Sequence, residues 1–253
     1  MEMKIAQKMV LAALAVSGGA ALAQAKAPEP DYTLSYNVGV VSDYRYRGIS
    51  QSRLDPALQG GIDFAHKSGF YLGTWASTIK WIKDAGATKG SVELDLYGGY
   101  KGEIAKDFGY DVGYLRYEYV GNKLGNVPGL VNANTDEIYG AVTYTLFTAK
   151  YSHSLSNLFG NPNSKGSGYL DLSANVDMGN GWSVVPHIGH QSVRHTSIAS
   201  YTDYSVTLGK DMGSGFSLSA AVVGTDAKKS FYFTPSGKFT GRTGLVVGAK
   251  YSF

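Results

Sequence analysis

Residues 170–178 read Leu-Asp-Leu-Ser-Ala-Asn-Val-Asp-Met, with apolar side chains at the even positions and polar side chains at the odd positions. A period of two is the pattern of a β-strand that has one apolar and one polar face. Similar alternation occurs in residues 32–46, 58–64, 92–97 and 245–253, and we count twelve such segments along the chain. Gly and Tyr are abundant, with 33 and 19 of 253 residues, and only 17% of residues are charged, which also favours an all-β chain.

The connections between these segments alternate between short and long. Short connections fall at residues 66–69, 102–107, 146–147, 179–181 and 213–215. Long ones centre on residues 47–56, 81–90, 120–134, 155–166, 193–199 and 226–241. Short turns at one rim and long loops at the other are typical of bacterial outer-membrane barrels. The sequence therefore predicts a closed, antiparallel, up-and-down transmembrane β-barrel of twelve strands, with short periplasmic turns and longer external loops.

Alternation alone does not say which face points inward, because a soluble lipocalin-like barrel would place its apolar face inside. About eight strands already enclose an interior that side chains can fill, so an apolar lining in a twelve-stranded barrel would leave a large void. Aromatic side chains also gather at the turn-side ends of the strands, where membrane barrels carry an interfacial girdle. These residues are Tyr32, Phe64, Phe70, Tyr71, Phe108, Phe147, Trp182, Phe216 and Phe253. We therefore expect the apolar face to contact lipid and the polar face to line the lumen.

Residues 1–25 have the features of a secretory signal peptide. Lys4 and Lys8 form a basic head, an apolar run follows at residues 9–15, and Ala23-Gln24-Ala25 is a small-residue cleavage site. The sequence thus divides into a signal peptide, residues 1–25, and an exported barrel, residues 26–253. Cleavage is expected near Ala25, and the mature chain is expected in the bacterial outer membrane.

The C-terminus ends in apolar alternation that runs to the last residue. Gly248, Tyr251 and Phe253 resemble the C-terminal assembly signal of outer-membrane proteins, although Val246 stands where that signal usually has a polar residue. This resemblance implies recognition by the barrel-assembly machinery.

Three further stretches carry a resemblance to a known family. Residues 42–51 read Ser-Asp-Tyr-Arg-Tyr-Arg-Gly-Ile-Ser-Gln, residues 56–63 read Pro-Ala-Leu-Gln-Gly-Gly-Ile-Asp, and residues 69–77 read Gly-Phe-Tyr-Leu-Gly-Thr-Trp-Ala-Ser. With these stretches the chain resembles the TorF family of porins over essentially its whole mature length. The resemblance implies a Gram-negative outer-membrane barrel that acts as a passive channel, and it implies no particular binding residue.

The predicted inward face carries charged side chains of both signs. The candidate pore-lining residues are Asp43, Arg45, Arg47, Asp63, Glu93, Asp95, Arg116, Glu118, Glu137, Lys150, Asp171 and Arg242. Asp43, Arg45 and Arg47 fit either a charged ladder at the pore mouth or an internal network of ion pairs. Free guanidinium groups would favour anions, as rings of basic side chains do in pores, yet acidic residues outnumber basic ones on this face. The sequence therefore suggests a channel for small hydrophilic solutes with at most a weak anion preference.

Two strands contain irregularities. Pro186 lacks a ladder donor inside the ninth strand, which predicts a bulge or kink. In the fifth strand the apolar phase changes between Tyr114 and Leu115, which predicts either a bulge or a strand that leaves the hydrocarbon zone.

Other classes of protein receive little support. A closed structural or partner-binding barrel remains an alternative, and a lipid-acting barrel enzyme is a weaker one, in which His153 and a neighbouring serine would act together. We expect no catalytic activity, metal or bound cofactor, and the absence of Cys excludes thiolate-ligated metals. A net charge of +3 does not suggest nucleic acid as a partner. Basic external loops suggest contact with lipopolysaccharide phosphates, or else steering of anionic solutes.

Overall fold

Long antiparallel strands make up most of the computed structural model, which describes residues 30–253. The predicted signal peptide lies outside the described residues. The strands are β1 Tyr32–Val41, β2 Arg45–Tyr46, β3 Ile49–Ser50, β4 Ala57–His66, β5 Phe70–Thr78, β6 Val92–Ala105, β7 Phe108–Tyr119, β8 Thr135–Tyr144, β9 Phe147–Ser154, β10 Gly168–Ala174, β11 Val176–Gly179, β12 Trp182–Ser192, β13 Tyr201–Gly213, β14 Phe216–Thr225 and β15 Gly244–Ser252. A four-residue helix, α1 (Trp81–Asp84), and 3₁₀ turns at Leu124–Asn126 and Ser197–Ala199 lie in the long loops.

The strands close into a barrel. Each long strand pairs with its neighbour in the chain, and β1 pairs with β15 from Asn37 opposite Ser252 to Val41 opposite Gly248. Both β10 and β11 pair with β12, so they form two halves of one barrel strand, while β2 and β3 form a separate hairpin. The prediction of an all-β, closed, antiparallel barrel of twelve strands is therefore confirmed.

The outer surface of the barrel is a belt of apolar side chains. Leu58, Val206 and Leu245 on three different strands are 60%, 53% and 67% exposed. Their neighbours in sequence, such as Gln59 and Ser205, point to the inside. A continuous exposed apolar belt of this kind suits contact with the hydrocarbon of a bilayer. No helix in residues 30–253 is long and apolar enough to cross a membrane.

The predicted aromatic girdle lies at the short-turn rim, with one exception. The rings of Tyr32 and Phe64 stack at 5.6 Å, and those of Tyr36 and Phe253 stack at the same separation across the seam between β1 and β15. Tyr71 instead points into the lumen, where its hydroxyl donates to Asp111 Oδ1 at 2.6 Å. Its assignment to the girdle was wrong, because β5 places Tyr71 on the same face as Gly73 and Trp75.

Pro186 interrupts a ladder without shifting it. The pairing of β10 with β12 ends at Ser173 opposite His187, and the pairing of β11 with β12 resumes in the same register at Val176 opposite Val184. The missing donor therefore produces a gap in hydrogen bonding beside Pro186, and the bulge predicted there is absent.

Candidate functional site

The first long loop folds back into the barrel. Its hairpin of β2 and β3, with the flanking residues, is called the lumen hairpin here (residues 43–52). Arg47 and Gly48 form its two-residue turn with φ angles of +46° and +77°, the combination that a type I′ turn requires. A Cβ added to Gly48 would lie 2.5 Å from Thr225 Cγ2 and 2.7 Å from Asp203 Cβ, so the hairpin tip packs closely against the wall formed by β13 and β14.

Arg47 anchors this hairpin to more distant strands. Its Nη1 donates to Glu137 Oε1 at 3.0 Å and to Gln191 Oε1 at 2.6 Å, and its Nη2 donates to Glu137 Oε2 at 2.8 Å. The guanidinium also lies 4.2 Å from the ring centroid of Tyr169. Burial lowers the pKa of Arg47, but the Glu137 carboxylate and the Tyr46 and Tyr117 hydroxyls together outweigh burial and raise this pKa well above its ordinary value. Arg47 is therefore a fixed cation that is already paired.

Two tyrosines of the hairpin contact the wall of the barrel. The Tyr44 hydroxyl donates to Glu93 Oε1 at 2.6 Å, and burial raises the pKa of this phenol well above its ordinary value. The Tyr46 hydroxyl is hydrogen-bonded to the hydroxyl of Tyr117. Together with Arg47, these contacts tie the hairpin to β6, β7, β8 and β12.

Asp43 and Arg45 stabilise the loop itself. Arg45 Nε donates to Asp43 Oδ2 at 2.5 Å, and Arg45 Nη1 donates to the backbone carbonyls of Gly48, Thr240 and Arg242 at 2.9 to 3.0 Å. Asp43 also accepts from Ser50 Oγ at 2.5 Å. The carboxylate of Asp43 and the guanidinium of Arg45 are therefore paired within the loops, which agrees with the interpretation of these residues as an internal network of ion pairs.

Cavities lie on both sides of the lumen hairpin. Two of them, of about 580 and 630 Å³, lie between the hairpin and the short-turn rim. Their walls share Val41, Gln59, Trp75 and Ser219, so they are adjoining parts of one lumen. A third cavity of about 360 Å³ lies on the external side. The hairpin is therefore the constriction between the external mouth and the lower lumen.

Seven of the nine remaining predicted pore-lining residues fall into three groups. Lys150 and Asp171 line the lower lumen, and Asp63 and Asp95 occupy inward positions on β4 and β6. Glu93 and Glu137 are buried wall partners of the hairpin. Arg242 is exposed in the loop before β15, where its backbone carbonyl accepts from Arg45, and it lines neither lumen cavity.

Arg116 and Glu118 are corrected by the structure. In the regular ladder between β6 and β7, they stand opposite Leu96 and Leu94, so they share the outer face with these leucines. Arg116 pairs there with Glu118 at 2.7 Å and with Asp136 at 2.9 Å. The phase change in this strand is thus not a bulge. Polar residues simply continue on the outer face towards the external rim.

Several lumen residues did not stand out in the sequence. Tyr169 donates to Asp203 Oδ2 at 3.0 Å, and His187 Nε2 lies 3.0 Å from Asp171 Oδ2. Gln191 holds Arg47. All of these residues have the inward parity of their strands, so strict alternation would have found them, whereas a search for charged side chains did not include Tyr169 or Gln191.

His153 and Ser154, considered for a barrel enzyme, do not form a catalytic pair in residues 30–253. His153 stands opposite the outward Ile138, while Ser154 stands opposite the inward Glu137, so the imidazole and the hydroxyl point to opposite faces. Within residues 30–253, no group of three or more His, Asp or Glu side chains could hold a metal ion.

Two solved porin structures have a fold similar to that of this chain. The KdgM porin aligns over 87% of this chain and 98% of its own, with 9% identity and a TM-score of 0.55. The NanC porin aligns over 87% of this chain and 99% of its own, with 9% identity and a TM-score of 0.54. No curated protein matches the sequence. The family Gcw_chp, described as bacterial protein of unknown function, matches residues 24–253, and the chain belongs to this family.

Proposed function

We propose that the chain is an outer-membrane channel for small hydrophilic solutes, narrowed by its lumen hairpin. The observation that carries this proposal is the polar lumen itself, with adjoining cavities of about 580 and 630 Å³ inside a porin-like barrel. The resemblance to the TorF porins supports the same function. Export through the predicted signal, assembly through the C-terminal residues and contact with lipopolysaccharide belong to this proposal.

The lumen favours cations weakly in this proposal. Arg45 and Arg47 are held by Asp43 and Glu137, so the two charges that suggested an anion preference are already neutralised. The inward positions that remain carry more acids than bases, namely Asp63, Asp111, Asp171, Asp177 and Asp203 against Lys101, Lys150 and Lys250. Unneutralised charges on a pore wall select the opposite sign of ion.

Single-channel recording of the refolded mature chain tests both statements. We expect discrete conductance steps in a planar bilayer. Under a potassium chloride gradient, we expect the reversal potential to have the sign that a potassium-selective pore produces. A reversal potential of the opposite sign would refute the selectivity. The absence of steps from protein that is shown to be folded would refute the channel.

A closed, partner-binding barrel is the second candidate. The burial of the lumen hairpin favours it, because Arg47 and Glu137 have side chains only 6% and 3% exposed. Silence in the bilayer experiment would support this alternative. A lipid-acting enzyme has no comparable support, given the opposed directions of His153 and Ser154.

A further inference from the structure

The two lumen cavities meet at a section of wall that carries no charge. Val41, Gln59, Trp75 and Ser219 line both cavities, and we call these four residues the lumen neck. A solute that moves from one cavity to the other passes them. Charged side chains line each cavity, but none of them is shared by the two. At the neck a solute therefore meets an aromatic ring, an amide and a hydroxyl, and no charged group.

Trp75 offers a fixed ring to the lumen. It points inward from β5 and is partly exposed there. Its ring packs edge to face against Tyr44 of the lumen hairpin, with the ring centroids 5.4 Å apart. The indole also lies close to Gly61 of β4, where an added Cβ would be 3.2 Å from Trp75 Cδ1. Because these contacts hold the indole in place, a solute that stacks on it loses little free energy to ordering of the ring.

Two neutral polar groups of the neck are open to a solute. Within residues 30–253, the Gln59 amide makes one long hydrogen bond, from its Nε2 to Ser77 Oγ at 3.4 Å, so its carbonyl oxygen is left for another donor. Ser219 is exposed in the lumen and stands opposite Gly248, which has no side chain to cover the hydroxyl. An amide and a hydroxyl each donate and accept hydrogen bonds. The neck thus combines an aromatic ring with both kinds of hydrogen-bonding group.

We propose that the lumen neck binds a neutral pyranose, with one face of the sugar ring on Trp75 and its hydroxyl groups hydrogen-bonded to Gln59 and Ser219. A charged solute would lose hydration at the neck without meeting an opposite charge there. A purely apolar ring would cover the amide and the hydroxyl and leave both without partners. A pyranose has C–H groups on its faces and hydroxyl groups around its edge, so it matches the ring and the polar groups together. As a transported solute, the pyranose rests on the proposed channel function.

The indole signal of Trp75 tests binding without any need for conduction. The chain has three Trp residues, so a refolded sample with ¹⁵N-labelled tryptophan gives few indole resonances to assign. We expect methyl α-D-glucopyranoside to shift the Trp75 resonance saturably. Glucitol, which has hydroxyl groups but no ring, and glucuronate, which adds a charge, should each bind about five-fold more weakly. Trp81 is the internal control, because its Nε1 is buried on the external side and its signal should not move.

Matched variants on β14 locate the site at the neck. Ser219→Ala removes a hydroxyl group of the neck and should weaken binding of methyl α-D-glucopyranoside about five-fold. Ser217→Ala removes a hydroxyl group two positions away on the same face, which lines only the cavity next to the short-turn rim, and binding should not change. A Trp75 signal that does not move, or that saturates equally with glucitol, would overturn the proposal. So would a folded Ser219→Ala variant that binds the glucoside as wild type does.

Liposome swelling separates the solute class from the channel itself. In vesicles that contain the wild-type chain, methyl α-D-glucopyranoside should enter about five-fold faster than glucitol, and Trp75→Ala should remove this difference. Single-channel steps together with equal swelling rates for the two solutes would refute the pyranose as the solute and leave the channel function intact. A saturable Trp75 shift in a folded barrel that conducts no ions would refute the channel function and support the neck as a sugar-binding site.

Discussion

Substitution of Arg47 by alanine should widen the channel. The substitution removes three side-chain hydrogen bonds from the guanidinium and leaves the Glu137 carboxylate without its partner in a site where its side chain is 3% exposed. Breaking a buried ion pair by removing one member costs about 3–5 kcal/mol. The penalty falls on the inserted position of the lumen hairpin, because Glu137 recovers water when the hairpin leaves the lumen.

The size of this penalty decides what a recording should show. A change of about 3–5 kcal/mol shifts the ratio of displaced to inserted hairpin by roughly 10²- to 4 × 10³-fold. We expect the Arg47→Ala channel to show a larger conductance step, or long visits to one that wild type rarely reaches. Arg47→Lys should lie between the two, because an ammonium keeps the charge but cannot reproduce the paired guanidinium hydrogen bonds.

A matched control is available in the same loop. Arg53 pairs with Asp84, with side chains 41% and 7% exposed, and this pair does not join the hairpin to the strands that hold Arg47. Arg53→Ala should therefore leave the conductance unchanged. Each variant must first show the heat-dependent gel shift of a folded barrel. A folded Arg47→Ala channel with the conductance of wild type would refute the idea that this ion pair holds a constriction.

Three further substitutions test the hairpin, the membrane-facing surface and the seam of the barrel. Gly48→Ala should also raise conductance, because the φ of Gly48 is +77° and an added Cβ would lie 2.5 Å from Thr225 Cγ2 in the barrel wall. Gly121→Ala is the control, since the φ of Gly121 is +62° but no atom lies within 4 Å of the added Cβ, and its conductance should not change. Val206→Arg should lower the free energy of unfolding by about 2–4 kcal/mol in urea unfolding from vesicles. Ser205→Arg, one position away on the inner face, should lower this free energy clearly less. Equal losses for the two variants would contradict the assignment of faces. Phe253→Ala should lower the yield of folded protein in the outer membrane, because the Phe253 ring packs at the seam of the barrel, 5.6 Å from the ring of Tyr36. An unchanged yield would argue against a role of Phe253 in assembly.

The barrel could be predicted because its signal is local. Alternation with a period of two appears within each strand, and the contrast between short and long connections is visible without any knowledge of which strands pair. The closure of β1 on β15 then follows from an even number of strands that go up and down.

The path of the lumen hairpin could not be predicted in this way. Arg47 meets Glu137 and Gln191, which are 90 and 144 residues away in sequence. Nothing near Arg47 distinguishes a loop that projects outward from one that folds inward. The sequence predicts only a long loop at residues 47–56, and the inward direction of the hairpin depends on partners supplied by distant strands.

The face of a charged residue near a strand end was equally hard to assign. The change of apolar phase between Tyr114 and Leu115 puts Arg116 on the predicted inward face. The ladder places it on the outer face, where Glu118 and Asp136 neutralise it. At such positions the strand register indicates the face of a side chain better than its polarity does. The side chains still alternate between the inner and outer faces beyond the end of the apolar belt.

The two sides of the lumen hairpin make different kinds of contact. Towards the lumen, the hairpin is held by ionic and hydroxyl contacts that water can replace when the hairpin leaves the lumen. Towards the external side, Ile49 packs in an apolar cluster with Tyr201 and Ala227, and Tyr46 lines both the external cavity and the lumen. Both sets of contacts form only while the hairpin is inserted, so each of them shifts the same equilibrium towards the inserted state.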